Sequence, residues 1–332
     1  MIKEKEASTK DKVLNILKQN SNAFVSGQEI ADTLFLTRAC IWKAIKSLRE
    51  SGYTIESVTN KGYRLISSFD NINTDYISGG IEKTHPLKVL YYEEVTSTND
   101  VAKKMHEGQN DLLIISNSQL NGRGRKGRSF FSPKDTGLYF SLLIHPEIPF
   151  SKATYITCIA AESMVLSIKD TLGIDVSIKW VNDIFLGEKK IAGILTETFG
   201  SLEEEFPEYI ITGVGINLYP FSNELPSDIK KRAGFLVKGG KSVDNLKNLL
   251  CVNFLNHFFD YLKDIDKKTF LKGYREHSNL IGKYVQINTS NPSSKKEYAL
   301  VTGIDDECRL LVTYDNKKTV ALLGKEVSVV KY

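Results

Sequence analysis

The sequence lacks the features of a membrane or secreted protein. None of its 332 residues belongs to an apolar run of about 18 residues, the length that a membrane-spanning helix needs. The first ten residues, MIKEKEASTK, are charged, unlike a signal peptide. We therefore expect a soluble, cytoplasmic protein, and its length predicts two or three domains, each with its own core.

Cysteine and histidine are scarce and scattered, which excludes the common metal-ligand patterns. Four cysteines and five histidines occur, and their spacing matches neither a metal site nor a catalytic triad. We expect each cysteine to be a small buried side chain, and we assign the histidines no role. These residues are Cys40, Cys158, Cys251 and Cys308, and His85, His106, His145, His257 and His277.

The excess of positive charge is confined to one end of the chain. Residues 1–66 contain 11 Lys and Arg against 7 Asp and Glu, whereas residues 67–332 contain 33 of each sign. The net charge of +4 therefore lies entirely in the N-terminal fifth. A basic module ahead of a neutral body indicates nucleic-acid binding.

The N-terminal region predicts two helices separated by a turn. Ser26 and Glu29 have the spacing of a capping box that opens the first helix. After a break at residues 35–37, the second helix extends from about Arg38 to Glu50 and is ended by Ser51-Gly52. At about 100° per residue, its apolar side chains fall on one arc and its cations on the opposite arc. The inward arc comprises Cys40, Ile41, Ala44, Ile45 and Leu48, and the outward arc comprises Arg38, Trp42, Lys43, Lys46 and Arg49.

This outward arc is the predicted DNA-binding surface. A second helix with a basic exposed face matches the recognition helix that enters the major groove, and a hairpin from Tyr53 to Ile66 would serve as a wing beside the backbone. Any small helical domain with a solvated basic face is the alternative, but the charge distribution and the two arcs favour DNA binding. Phe35 stands where many such turns have glycine, so we expect a slightly altered turn.

Residues 122–128 combine three glycines with four cations in the order Gly-Arg-Gly-Arg-Lys-Gly-Arg. Glycine lets several backbone N–H groups point into one concavity, and the cations match anionic oxygens. A disordered basic loop that binds RNA would have the same composition. Because apolar strands are predicted on both sides, at Leu112–Ser116 and Gly137–Ile144, an anion-binding loop of an active site is favoured.

The rest of the chain predicts a mixed α/β domain followed by a small β domain. Apolar strands alternate with helices such as Ala153–Leu172 and Val243–Lys263. Residues 67–80 are polar, and we expect a linker there. From about Leu280, short strands separated by polar turns predict an all-β segment. These strands are Lys283–Asn288, Glu297–Gly303, Leu310–Tyr314, Lys318–Leu322 and Glu326–Val330.

Three further segments can carry chemistry, and each also has an ordinary structural interpretation. The polar side chains of Val95–Asp100 would cap the following helix or bind a polar ligand head, and capping is favoured when the segment is taken alone. Ser177–Glu197 predicts a hairpin that would bring Asp183 and Lys190 near a substrate or simply lie at the surface. The glycines of Gly213–Leu218 permit close approach of a ligand, but the third glycine and the helix of the dinucleotide fingerprint are missing.

Together these segments resemble the biotin protein ligases. The resemblance rests on five motifs in the order and spacing of that family. They are Ser-Thr-Asn at 97–99, Gln119 with Gly-Arg-Gly-Arg-x-Gly-Arg at 122–128, Lys-Trp-x-Asn-Asp at 179–183, Lys-x-Ala-Gly-Ile-Leu at 190–195 and Gly-x-Gly-Ile-Asn at 213–217. With the N-terminal module, the chain resembles, over essentially its full length, the bifunctional form that is also the biotin operon repressor.

The resemblance implies an α/β multidomain fold. A winged helix-turn-helix would occupy residues 1–66, a mixed-sheet α/β ligase domain residues 67–279, and a small SH3-like β-barrel residues 280–332. In the family the last domain assists the binding of ATP and of the acceptor protein.

The resemblance also implies a two-step reaction. The carboxylate of biotin attacks the α-phosphorus of ATP to give biotinyl-adenylate and pyrophosphate, and a lysine of a carboxylase carrier domain then takes the acyl group. Fixed cations and N–H groups are the expected means of stabilising the charge that builds on the phosphorus oxygens. Magnesium is implied as the ion that accompanies ATP, although the sequence shows no dedicated cage of carboxylates for it.

The matched motifs carry over the following roles. Lys190, Arg125 and Asp183 are the implied catalytic residues, and Asp183 would orient the attack or deprotonate the acceptor lysine. The implied biotin contacts are Ser97, Thr98, Asn99, Gln119, Arg123, Gly124, Arg125 and Lys190. The implied ATP contacts are Arg125, Arg128, Phe130, Asn182, Lys190 and Asn217.

Two positions depart from the family pattern. Phe130 stands where tryptophan is common, which keeps an apolar lid over the ligand and loses the indole N–H. Val181 stands where proline is common, so the turn is less rigid. Neither change removes a charged catalytic group, and we expect activity to survive both.

The implied biology is that of an enzyme which, when loaded with biotinyl-AMP, forms a homodimer and binds operator DNA. Two alternatives stay open. A lipoate–protein ligase would share the catalytic fold but lack the arginine–glycine loop. A ligand-sensing transcription factor without catalysis would not need Lys190, Arg125 and Asp183, and their presence argues against it.

Overall fold

The structure is a computed structural model, and the chain divides in it into two compact units. One unit is Met1–Ile72 with Lys241–Leu246, and the other is Asn73–Gly240 with Lys247–Tyr332. Within the described part of the chain, no helix is both long and apolar enough to span a membrane. The described residues are 8–20, 23–50, 53–67, 70–82, 85–108, 110–201, 203–221, 227–237, 243, 245–289, 297–324 and 327–331.

The first unit contains the predicted helix-turn-helix and hairpin, preceded by a helix over Thr9–Gln19 that the sequence analysis did not predict. Ser26 caps its second helix, because the hydroxyl accepts a hydrogen bond from the N–H of Glu29 at 3.0 Å. The strands of the hairpin pair antiparallel. The predicted helix end at residues 51 and 52 lies outside the described residues. The elements are α1 (Thr9–Gln19), α2 (Gly27–Leu34), α3 (Arg38–Glu50), β1 (Thr54–Val58) and β2 (Gly62–Ser67).

The two predicted arcs of α3 are confirmed with one exception. Ile41, Ala44, Ile45 and Leu48 are buried in the core of this unit. Cys40, which was placed on the inward arc, is exposed. Residues 38–40, the first three of α3, are all exposed, so Cys40 lies outside the core that begins at Ile41. The other three cysteines are buried, as expected.

The second unit contains a seven-stranded mixed sheet, which confirms the predicted α/β domain. Its strands are β3 (Leu87–Val95), β4 (Asp111–Gln119), β5 (Gly137–Ile144), β6 (Ser177–Lys179), β7 (Asp183–Leu186), β8 (Lys189–Phe199) and β9 (Tyr209–Asn217). Their spatial order is β3-β4-β5-β9-β8-β7-β6. Only the β3–β4 pair is parallel among them. The predicted hairpin of β7 and β8 is present, but its first arm is bent back at residues 180–182, so that β6 and β7 pair with each other.

Helices cover both faces of this sheet. Along β5, Ser141 meets helix α5 (Thr98–Lys104), and the neighbouring Phe140 packs on Phe254 of α8 (Leu246–Lys263). Helix α6 (Ala153–Leu172) lies against β6 to β9. Since β5 is covered on both sides, all its residues are buried, which explains its largely apolar sequence. Two shorter helices of this unit are α7 (Ser227–Arg232) and α9 (Phe270–Glu276).

The predicted linker over residues 67–80 is wrong in its second half. Residues Thr74–Gly80 form helix α4. The Asn73 side chain caps this helix by accepting from the N–H of Tyr76, and Ile77 is fully buried. The sequence of this segment is mostly polar because only one side chain, that of Ile77, packs into the core. Residues 68 and 69 lie outside the described part.

All five C-terminal strands are confirmed. They are β10 (Tyr284–Thr289), β11 (Glu297–Ile304), β12 (Leu310–Thr313), β13 (Thr319–Leu322) and β14 (Val327–Lys331). They form one antiparallel sheet in the order β13-β12-β11-β10-β14. The edge strands β13 and β14 are not paired in the described residues, so the closed SH3-like barrel is not confirmed.

Candidate functional site

Two adjoining pockets lie where the five sequence motifs meet. They share Arg123, Phe130, Gly193 and Leu195, so one extended ligand can occupy both. The inner pocket is lined by Ser97, Thr98, Asn99, Gln119, Arg123, Phe130, Gly193, Leu195, Gly213, Val214 and Gly215. The cationic pocket, of about 170 Å³, is lined by Arg123, Gly124, Arg125, Lys126, Arg128, Ser129, Phe130, Lys179, Trp180, Asn182, Asp183, Lys190, Gly193, Ile194 and Leu195.

Glycines on β8 and β9 make the floor of the inner pocket, and Gly193 also lines the cationic pocket. Gly193 and Gly215 face each other across the two strands. A Cβ atom added at Gly213 would lie 2.1 Å from Oδ1 of Asn99, and one at Gly215 would lie 2.5 Å from the ring of Phe130. Neither position has room for a side chain. The close backbone approach predicted for this segment is therefore real, and it serves α5 and the Phe130 ring.

The inner pocket has a polar wall held together by Gln119. Its Oε1 accepts from the backbone N–H of Thr98 at 2.9 Å, and its Nε2 donates to Oγ of Ser132 at 2.9 Å. Ser97 occupies the N-cap position of α5 but makes no capping hydrogen bond with its side chain. The capping interpretation favoured for this segment is therefore wrong for Ser97. The side chain of Gln119, and not that of Ser97, accepts the hydrogen bond from the first N–H group of the helix.

Two residues of this wall were missed by the sequence analysis. Oγ of Ser141 lies 2.7 Å from Oγ1 of Thr98 and 2.6 Å from Oδ1 of Asn99. Nδ2 of Asn99 donates to Oε2 of Glu197 at 2.7 Å. Ser141 interrupts the apolar run of β5, and that interruption is the signal that points to it. Glu197 lies between two threonines of β8 and carries no such signal.

The arginine–glycine loop is folded back on itself. The N–H of Phe130 donates to the carbonyl of Gly122 at 2.8 Å, and the N–H of Gly124 donates to the carbonyl of Arg128 at 2.6 Å. Arg123 pairs with Asp100 of α5 at 2.7 Å, and its other terminal nitrogen lies 4.0 Å from Glu197. The loop therefore forms a wall at the junction of the inner and the cationic pocket, where Arg123 and Phe130 line both.

Arg125 is fixed in the cationic pocket by two acceptors. Its Nη1 donates to Oδ1 of Asn182 at 3.0 Å, and its Nη2 donates to the carbonyl of Gly324 in the C-terminal segment. Asn182 in turn donates through Nδ2 to the carbonyl of Ile194 at 2.7 Å. Burial lowers the pKa of Arg125, with Asp183 opposing that shift.

Lys190 and Asp183 form an ion pair of 2.7 Å between β8 and β7. The Nζ atom of Lys190 also lies 5.9 Å from the ring centroid of Phe130. Burial lowers the pKa of the neighbouring Lys179, again with Asp183 opposing it. Asp183 is the single carboxylate among the lining residues of this pocket, against six cations. Partly desolvated cations with so little compensation favour an anionic ligand.

Backbone carbonyls make contacts at this site that sequence reasoning did not foresee. Nε1 of Trp180 donates to the carbonyl of Cys308, in the turn between β11 and β12, at 2.9 Å. The hydroxyl of Tyr274 on α9 donates to the carbonyl of Val181 at 2.9 Å. The Trp180–Val181 peptide bond is cis. Since backbone carbonyls leave no trace in the sequence, only the tertiary contacts reveal them.

Asn217 lies apart from the other predicted site residues. It lines neither the inner nor the cationic pocket. Its Nδ2 donates to the carbonyl of Gly234 at 3.0 Å, and its side chain is buried. The residue ties the segment after α7 to the end of β9.

A metal centre built from protein side chains alone is absent from the described residues, where no group of three or more His, Cys, Asp or Glu can hold an ion. In the cationic pocket, Asp183 is the carboxylate oxygen donor available to a divalent cation. Magnesium commonly binds through one or two carboxylates together with substrate phosphates. The donor set fits a cation that arrives with a polyphosphate.

The predicted DNA-binding residues lie on α3 in the first unit. Arg38, Trp42, Lys43 and Lys46 are exposed, and the Trp42 ring lies 5.8 Å below Nζ of Lys46. Arg49 instead donates to the carbonyl of Ile55 at 3.0 Å and 2.7 Å and so ties α3 to the hairpin.

Cations of the hairpin were not among the predicted contacts. Lys61 is exposed at its tip, and Arg64 pairs with Glu56 across the strands and lies 4.5 Å from the ring centroid of Phe24. The wing therefore carries the exposed Lys61 and an arginine that is already paired with a carboxylate.

The sequence matches two family models. Residues 91–217 match the biotin/lipoate A/B protein ligase family, and residues 9–64 match the HTH domain. Among solved structures, the biotin protein ligase from Aquifex aeolicus in complex with biotin and ATP is 26% identical with a TM-score of 0.60, and the match covers 74% of this chain and 99% of that chain.

Curated relatives match over nearly the whole length. The bifunctional ligase/repressor BirA of Bacillus subtilis strain 168 is 32% identical over 314 residues, covering 90% of this chain and 92% of the relative. BirA of Escherichia coli strain K12 is 28% identical over 295 residues, covering 88% of this chain and 89% of the relative. Together with the two pockets and the helix-turn-helix, these matches show that the chain belongs to the biotin protein ligase family, among its bifunctional ligase/repressor members.

Proposed function

We propose that the chain forms biotinyl-adenylate from biotin and ATP, transfers the biotinyl group to a lysine of a carboxylase carrier domain, and represses transcription in response to biotin. One observation carries the catalytic part. A narrow polar pocket with a glycine floor opens into a pocket lined by six cations, and the two share Arg123 and Phe130. A small acid with a polar head needs the first, and a nucleotide triphosphate needs the second.

The biotin head would occupy the inner pocket. Ser97, Thr98, Asn99 and Gln119 offer hydroxyl and amide groups, which suit a ureido group that both donates and accepts hydrogen bonds. Glu197 and Ser141 would hold the amide of Asn99 in one orientation, because they bond its two polar atoms. The carboxylate end would then reach Arg123 and Gly124 at the junction of the pockets.

The adenylation step would take place in the cationic pocket. A carboxylate oxygen of biotin attacks the α-phosphorus, the new O–P bond forms, and pyrophosphate leaves with the electrons of the broken bond. Two anions must approach each other, and Arg125 and Lys190 would offset their repulsion and the charge that builds in the transition state. Because Arg125 is already held by Asn182, little reorganisation is needed at that moment.

The transfer step would use Asp183. The acceptor lysine attacks the acyl carbon as a neutral amine, AMP leaves, and one proton must be removed from the nitrogen. Asp183 lies 2.7 Å from Lys190, on the wall where the acyl carbon would sit, so it is suited to orient the amine or take that proton.

The nucleotide would be held by the remaining predicted residues. Arg128 and Phe130 come from the loop, and Asn182 would act through Arg125. Asn217 supports the pocket from behind, by way of Gly234. Magnesium would be held by Asp183 and the phosphates and would neutralise part of the phosphate charge. The C-terminal sheet would take the part of the family's SH3-like domain, since the carbonyl of Gly324 binds Arg125.

The regulatory part of the proposal concerns the first unit. Biotinyl-AMP would promote a homodimer, and two recognition helices would then bind an inverted repeat in operator DNA. Both the carrier domain and the operator would be met in the cytoplasm.

The carrier assay tests the proposal directly. The purified chain is incubated with biotin, ATP, magnesium and a carboxylase carrier domain, and the intact mass of the carrier is measured. We expect the addition of one biotinyl group, and the carrier with its acceptor lysine changed to arginine serves as control. No mass increase would sink the enzyme function and leave a ligand-sensing repressor. Modification with lipoate but not with biotin would favour the lipoate ligase alternative.

A further inference from the structure

Phe35 occupies an unusual position between α2 and α3. Its side chain is 96% exposed, more than any other large apolar side chain in the described part of the chain. Its backbone lies in the left-handed region, with φ 55° and ψ 42°. The turn itself is well formed, since the N–H of Phe35 bonds to the carbonyls of Ala31 and Asp32. The altered turn expected from the missing glycine is therefore not observed.

A phenylalanine gains nothing from this position in the isolated molecule. The left-handed conformation is unfavourable for a bulky side chain and favourable for glycine or asparagine. An exposed ring contributes no burial that would offset this cost. Backbone strain of this kind is concentrated at functional sites.

The surroundings of Phe35 indicate a polyanionic partner. Phe35 lies in the turn, three residues before α3 begins, and Trp42 is 56% exposed on α3. Arg38, Lys43 and Lys46 of α3 are exposed as well, and Nζ of Lys46 lies 5.8 Å from the Trp42 ring centroid. Exposed rings on and just before a basic helix fit the major groove, where phosphates line the edges and thymine methyl groups project from the floor.

We propose that Phe35 and Trp42 are specificity-determining residues that contact thymine methyl groups in the operator, while the surrounding cations contact phosphates. This inference rests on the proposed repressor function. Phosphate contacts set the position and the general affinity, and apolar contacts to the methyl group distinguish thymine from the other bases.

The first experiment identifies the sequence that is read. The full-length chain, with biotin, ATP and magnesium, is used to enrich duplexes from a library with a random segment of about 30 base pairs, enough for two half-sites. Each thymine of the enriched sequence is then replaced singly by uracil, which removes only the methyl group. We expect at least one replacement in each half-site to weaken binding by about fivefold. If no duplex is enriched, the repressor function itself fails.

The second experiment assigns the methyl contact to the rings. In Phe35→Ala and Trp42→Ala, affinity for the thymine duplex falls about fivefold, and replacement by uracil has no further effect. Phe35→Tyr still binds the thymine duplex more tightly than the uracil duplex. Tyr76→Ala, which removes an exposed aromatic ring from the other unit, leaves this preference for thymine unchanged. Equal sensitivity to uracil in wild type and Phe35→Ala would overturn the proposal. If either alanine variant no longer dimerises but still prefers thymine to uracil, the rings contact the second protein chain and not the DNA, and the proposal fails.

Stability separates a functional role from a structural one. Phe35→Gly relieves the left-handed strain, so the unfolding midpoint of the first unit should rise by about 4 °C while discrimination is lost. Phe35→Ala keeps the strain and should not raise the midpoint. Unfolding is followed by the fluorescence of Trp42 in a Trp180→Phe background, since the chain has only two tryptophans. A lower midpoint in Phe35→Gly would mean that the ring stabilises the fold and would contradict the proposal.

Discussion

Arg125 is held on both terminal nitrogens before any ligand binds. Asn182 and the carbonyl of Gly324 are its acceptors, and burial lowers its pKa. A cation placed in this way costs free energy in the free protein, because neither acceptor carries a full negative charge. An anion that enters the pocket offsets this cost, so Arg125 is suited to stabilise the negative charge that develops in the transition state.

The removal of Arg125 should therefore affect both halves of the proposed function. In Arg125→Ala we expect adenylate formation to slow by about a hundredfold and bound adenylate to dissociate faster. Pyrophosphate release and the dissociation of labelled biotinyl-AMP measure the two effects. Arg64→Ala, which removes an arginine from the first unit, is the control. Unchanged retention of the adenylate in Arg125→Ala would contradict the assigned role.

The glycines of the pocket floor lead to a prediction about binding alone. In Gly213→Ala the new methyl group would lie 2.1 Å from Oδ1 of Asn99, so the Asn99 side chain must leave its hydrogen bonds with Ser141 and Glu197 and the wall of the inner pocket is distorted. We expect the dissociation constant for biotin to rise about tenfold or more, as measured by calorimetry. Gly79→Ala is matched, because an added Cβ there meets nothing within 4 Å. If both variants bound biotin with equal affinity, Gly213 would not form part of the biotin-binding pocket.

Among the elements, the turn between β11 and β12 fastens the C-terminal sheet to the catalytic body. Arg275 of α9 donates to the carbonyl of Ile304 and pairs with Asp306, each at 2.7 Å. The hydroxyl of Tyr155 donates to the carbonyl of Asp306 at 3.0 Å. The same turn carries Cys308, whose carbonyl accepts from Trp180 in the cationic pocket.

Loosening this turn should weaken nucleotide binding more than biotin binding. In Arg275→Met the turn loses two hydrogen bonds while the apolar stem is kept, and we expect the KM for ATP to rise about fivefold with that for biotin nearly unchanged. Steady-state pyrophosphate release, with each substrate varied separately, measures the two values. Lys318→Ala, in the next turn of the sheet, is the control. A parallel rise for both substrates would indicate general unfolding instead.

Elements with a strong local signal were predicted well. The capping box at Ser26, the helix Arg38–Glu50 and the hairpin of β7 and β8 all follow from residues within one element. Helix α4 was missed because Ile77 alone anchors it. Cys40 was misplaced because periodicity assigns a face but not whether a core lies opposite that face.

For the whole molecule, the proposal couples catalysis to DNA binding through the adenylate. We expect biotin with ATP to increase the apparent affinity for the enriched duplex by about tenfold or more, in step with dimer formation seen by sedimentation. The Arg125→Ala chain should lose most of this increase, because it retains the adenylate poorly. Equal DNA binding with and without the two substrates would break the proposed coupling.

Short-range information in the sequence was sufficient for the helix-turn-helix, the mixed α/β sheet and the motifs of the site. The arginine–glycine loop, Ser97–Asn99 and Lys190 are recognisable because their residue types are dictated by chemistry. Their arrangement into two connected pockets depends on contacts between distant segments. Ser141 and Glu197 orient Asn99, and backbone carbonyls of Cys308 and Gly324 fix Trp180 and Arg125. A backbone carbonyl is present at every residue, so only the folded chain shows which ones are used.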